Sequence, residues 1–208
     1  MLMQPAKRIS EFLFWCLVTY GLLLLPWHGL MNAYRAGFRA VGDVLFHSVG
    51  DGGSVHFEKL SDGDRVRDTT IRLTNRTNGT RGSMDIRAAY IAYRPTAFLV
   101  ALVLATPTPW SRRGWALLWG LVGVGLFVAF RIWLQIFDAM SNGDALSVYV
   151  LGPFWKGVLA AMVKVMVHAS TMSYLAPACI WVLVALRRGD WAIITAEKKA
   201  PVRSKSRS

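Results

Sequence analysis

Four ionisable side chains, His28, Arg94, Arg131 and His168, stand inside long apolar runs. A charge or an imidazole at such a position is costly unless it is paired or faces water, so each marks a candidate site. An arginine and a histidine brought together can stabilise an oxyanion and move a proton, which makes Arg131 and His168 the candidate catalytic pair. Without a nucleophile the same groups bind rather than react. Counted along each run from its basic end, Arg94, Arg131, His168 and His28 lie roughly 24, 26, 27 and 28 Å up. A hydrocarbon core is about 30 Å thick, so all four reach one level near its edge. The expectation is a pocket at that level lined by Arg94, Arg131, His168 and His28, with Asp85 or Asp138 as counter-charges. Separate snorkelling of Arg94 to the headgroups and an aromatic-belt place for His28 beside Trp27 are the simpler readings of those two residues.

Other chemistry has no motif behind it. The chain lacks C-x-x-C, H-E-x-x-H, a G-x-G-x-x-G turn and a phosphate loop, so no metal and no cofactor are expected. Cys16 and Cys179 fall near the basic ends of their runs, away from the proposed pocket, and imply no disulfide framework. His47 and His56 lack neighbours at ligand spacing. Gly120, Gly123 and Gly125 suit close helix packing.

The elements that must position these residues are membrane helices. The chain carries 24 Lys+Arg against 12 Asp+Glu, but the basic residues cluster at the ends of apolar runs and in one tail, which argues against a nucleic-acid partner. The fold class expected is an α-helical integral membrane protein with about four transmembrane helices and a small β-containing extracytoplasmic loop domain. Residues 1–10 are a cytoplasmic N-terminus, and 11–32, 88–110, 115–138 and 152–186 are the four spans, the last of them long or broken, around 170–173 or at Pro177. Residues 33–87 form the extracytoplasmic loop, and 187–208 a basic cytoplasmic tail. Basic residues in the short loops place both termini in the cytoplasm, with the bilayer as a partner. Within the loop, 55–60, 69–75 and 83–91 alternate polar and apolar side chains, and Asn78-Gly79 is a turn signal.

From about Ile91 to Ile136 the pattern resembles the exosortase and archaeosortase family of membrane transpeptidases. Ala101-Leu102 to Pro107, Arg112-Arg113-Gly114 and Phe130-Arg131-Ile132 are similar to that family's middle section, and His168 is similar in placement to its histidine. Where the family carries an Ala-Cys-Ser-Gly-like motif, this chain reads Ala92-Tyr93-Arg94-Pro95, and Val128 stands where the family has Asn. A thioester-forming transpeptidase needs a thiolate, and the phenol of Tyr93 is a poor replacement. The resemblance therefore implies a relative without the nucleophile, or an accessory protein beside an exosortase. The enzymatic alternative is a peptidase or transpeptidase using Arg131 and His168 with Tyr93, Ser170 or Thr171 as nucleophile. A lipid or ion handling protein, with basic residues on anionic headgroups, is the third reading.

Overall fold

The computed structural model describes residues 3–25, 27–49, 52–60, 68–76, 79–142, 149 and 151–185, and for residues 3–8, 28, 49, 142 and 168 the backbone alone. The chain is mostly helical with one small sheet. Helix α1 (Met3–Leu24) leads into α2 (His28–Phe46), and the two meet at 81°. Four strands follow as an antiparallel meander in sequence order: β1 (Ser48–Val49), β2 (Gly53–Lys59), β3 (Thr69–Asn75) and β4 (Arg81–Ile86). A π-helical turn, Ala89–Tyr93, opens directly into α3 (Arg94–Ala105). The wider turn sits just ahead of Pro95, whose ring and missing N–H do not fit a continuing α-helical ladder. Helix α4 (Trp110–Asn142) comes next, then α5 (Pro153–Val163) with a second π turn at Lys164–His168, and α6 (Met172–Ala185).

Several expected boundaries move. The first span, expected over 11–32, is split: α1 ends at Leu24, and residues from His28 onward turn away. Residues 33–46, expected as loop, are helical because Tyr34, Gly37, Phe38, Val41, Gly42 and Leu45 repeat at three and four residues and form one stripe. Arg112 and Arg113, expected in a loop, belong to the first turns of α4, since Pro107 and Pro109 end the preceding helix early. The alternation of 83–91 is a strand only to Ile86, and the chain is helical from Ala88, where the second span was expected to begin. The long last segment breaks at 169–171, where α5 and α6 diverge by 78°, while Pro177 lies inside α6. Asn78 and the basic tail at 187–208 fall outside the described residues; Gly79 has a φ of +70°. By length and composition, Trp110–Ser141 is one helix able to cross a membrane, and among the described residues there are up to three such segments if each bent pair is one span. The remaining apolar helix, Ala89–Ala105, is shorter.

The sheet turns Val55, Phe57, Ile71 and Leu73 inward and His56, Glu58 and Arg72 outward, the period-two pattern of a half-buried sheet. Its inner face packs on α2, where the Phe57 ring meets Phe38 and Phe46, each at 6.1 Å. Gly42 permits this approach, because a Cβ there would lie 2.9 Å from the Phe57 ring. The exposed edge of β2 beyond the two-residue β1 is satisfied from the helix: the Phe57 amide donates to Asp43 Oδ1 at 2.8 Å. One core then runs without interruption from the sheet through Ile91, Leu99 and Val103 of the third helical segment to Val124, Val128 and Ile132 of α4.

Asp68 joins three elements. It pairs with Arg35 Nε of α2 at 3.1 Å and accepts the Ala88 amide at 2.9 Å, so it caps the helical segment that begins there. Asp68→Ala should therefore lower stability by about 1–3 kcal/mol, measured by denaturant unfolding of the full chain in detergent. Glu58→Ala, which breaks the exposed pair with Arg72, should cost no more than about 1 kcal/mol.

Candidate functional site

The two arginines expected in one pocket are held in different ways. Arg131 lies on α4 and is only 1% exposed. Its Nη1 donates to Ser173 Oγ at 3.0 Å and its Nη2 to the Val167 carbonyl at 2.9 Å, one acceptor on each side of the α5–α6 break. The Phe127 ring, one turn earlier on α4, lies 5.6 Å from the guanidinium carbon. No carboxylate pairs with Arg131 among the described residues, and Nε has no acceptor. Gln135, one turn further along α4, likewise leaves Nε2 buried without a partner.

Arg94 is exposed and lies over the Tyr90 ring at 4.7 Å. The side chains do not converge on a common acceptor. Asp85, expected as a counter-charge, receives the Thr70 hydroxyl at 2.8 Å on the sheet. His28 opens α2 and His168 closes the π turn after α5, but both side chains lie outside the described residues. The neighbouring Val167 carbonyl places the His168 backbone beside Arg131.

The candidate nucleophiles have structural surroundings. The Tyr93 hydroxyl donates to the Leu23 carbonyl of α1, and its ring packs edge-on against Tyr34 at 5.2 Å. Ser170 and Thr171 form the exposed turn of the break. Cys16 is buried against Ala101 and Leu102, whereas Cys179 is an exposed thiol on α6. His47 and His56 do meet, with ring centroids 5.3 Å apart, yet no group of three metal-ligating side chains occurs among the described residues.

Gly120 and Gly123 let helices approach closely: a Cβ at Gly120 would meet Leu99 of α3 at 2.8 Å, and one at Gly123 would meet Ile180 of α6 at 3.0 Å. Gly125 faces open space instead. It lines an apolar groove of about 350 Å³ between α2, the third helical segment and α4, with Gly37 and Phe38 on one wall and Ala92, Val128 and Ile132 on the others. Beside this groove α2 exposes Ala33, Ala36, Gly37, Ala40, Val41 and Val44, an arc without a charge. Of its three charged residues, Arg35, Arg39 and Asp43, none falls on this arc, and Arg35 and Asp43 engage the sheet and its flanking turn. No chemistry-bearing motif marks this surface in the sequence; the three-and-four repeat of α2 is the signal that reveals it.

No protein family model, curated protein or solved structure matches the chain.

The separation of the arginines is measurable. Arg131→Gln should destabilise the chain by about 1–3 kcal/mol, the cost of leaving the buried Val167 carbonyl and Ser173 hydroxyl without their donor. Arg94→Gln should change stability by less than about 1 kcal/mol, as for an exposed cation. Similar losses at both positions, in detergent unfolding, would mean that the two share one network.

Proposed function

We propose that this chain is a non-catalytic, multi-pass protein of the bacterial inner membrane, accessory to exosortase-type sorting of C-terminally anchored surface proteins. Both termini are cytoplasmic, and the sheet and α2 sit on the outer side. The apolar exteriors of α1 and α4 favour lipid as their surroundings: Leu17 is 74% and Leu126 67% exposed. Trp110, Trp115 and Trp119 near one end of α4 and Trp133 towards the other suit the two interfaces.

The observation that carries the binding role is the uncharged face of α2 together with the groove beside it. The groove is about 350 Å³ and its lining is largely apolar. The groove therefore takes side chains from a partner helix laid across α2, while Ala36, Gly37 and Ala40 let the backbones approach. Arg131 and Tyr93 support the absence of catalysis, since each polar head is engaged in holding helices together. The partner is the exosortase-type enzyme of the same cell, or the apolar C-terminal helix of its substrate.

A photo-crosslinking residue placed at Val41 should capture that enzyme or its substrate in native membranes, and Gly37→Trp should reduce the yield about tenfold or more. The same residue at Arg81, on the sheet edge away from the groove, should capture neither. Equal yields from the two positions, or none from Val41 in cells that contain the enzyme, would remove the reading.

A further inference from the structure

A second cavity, of about 550 Å³, opens at the other end of the bundle, where the Pro107–Pro109 turn leads into α4 and α6 finishes. That volume is within the usual range for small-molecule sites. Its lining is apolar at Val103 of α3, Ala116 of α4 and Leu183 of α6 and polar at the buried Thr106. Its rim is polar, with Thr108, Ser111 and Arg112. Trp115 and Trp119, 63% and 57% exposed, border it.

The polar groups at the rim divide into engaged and free. Arg113 is engaged: Nε donates to the Thr108 carbonyl at 2.8 Å and the guanidinium lies over Trp110 at 4.8 Å. Thr106 is engaged as well, donating to the Leu102 carbonyl at 2.7 Å and accepting the Trp181 indole N–H at 2.9 Å. Arg112 is exposed and has no side-chain acceptor among the described residues, and neither the Thr108 nor the Ser111 hydroxyl has a side-chain hydrogen bond there. The first turn of α4 also lacks an acidic residue, so nothing local offsets the positive helix end.

We infer that this cavity binds an anionic phospholipid, with the phosphate against Arg112, Thr108 and Ser111 and the upper acyl chain against Val103, Leu183 and Trp119. Apolar lining residues under a cationic, hydroxyl-bearing rim match an amphiphile better than a free anion, which would leave those residues uncovered. The aromatic pair at the mouth matches the depth of the headgroups. Cytoplasmic leaflets carry the anionic lipids that such a rim selects. The inference rests on the membrane reading above and assigns that protein a lipid site on its cytoplasmic side.

The test uses the full chain purified in mild detergent and titrated with phosphatidylglycerol or with phosphatidylcholine of the same acyl chains, with bound lipid counted by native mass spectrometry. The unaltered chain should prefer phosphatidylglycerol, and Arg112→Gln should reduce that preference about tenfold, the loss of one charge-assisted contact. Arg81→Gln, an exposed cation at the sheet end, should keep it. Retention of the preference by Arg112→Gln, an equal loss in Arg81→Gln, or no preference in the unaltered chain would overturn the site. Release of the chain from native membranes by alkaline carbonate would instead remove the membrane reading, and the lipid site with it.

Discussion

A buried guanidinium cannot stand in an apolar bundle without acceptors, and this requirement shapes the helices around Arg131. With no carboxylate paired to it among the described residues, the charge is met by the Val167 carbonyl and the Ser173 hydroxyl. A carbonyl inside a regular helix is already occupied by the amide four residues on. The interruption at 169–171 releases such a group and turns it toward α4. Arg131 and the break therefore depend on each other: the cation needs the freed acceptors, and the freed acceptors need a donor.

The direction of α6 follows from that junction. Leaving the break at Met172, it packs on α4 at Gly123 through Ile180, donates from Trp181 to Thr106 of the α3 terminus, and stacks the same indole on Phe12 of α1 at 5.7 Å. At the opposite end Tyr174 meets Tyr20 and Phe98, so α6 holds α1 and α3 along its length. The sheet end is fastened separately, by Asp68 between α2 and the third helical segment and by Asp43 on the β2 edge. With both anchors on its polar side, α2 keeps its small-residue face and the adjoining groove uncovered among the described residues. In the function proposed, that face is the surface offered to a membrane partner.

How far these features can be read from residues alone depends on the kind of signal. The apolar run of α4 and the alternation in β2 and β3 are local periodicities, and both elements lie where those patterns place them. Helix α2 was hidden because its apolar start at Leu30-Met31 continues the run of α1, so two helices at 81° read as one span and a loop. The shared level of Arg94 and Arg131 came from counting along helix axes. Distance along an axis carries no information about direction around it, and the two guanidinium groups have different partners and very different exposure. The role of Asp68 was invisible for another reason: its partners, Arg35 and Ala88, are distant in sequence and meet only after the sheet has formed.

The mutual dependence of Arg131 and the α5–α6 break is tested most directly by a double-mutant cycle between Arg131→Met and Ser173→Ala, read by denaturant unfolding of the full chain in detergent. A hydrogen bond from a charged donor to a buried hydroxyl predicts a coupling of about 1.5–3 kcal/mol. Additive effects, with a coupling below about 0.5 kcal/mol, would contradict the pairing of the cation with the break.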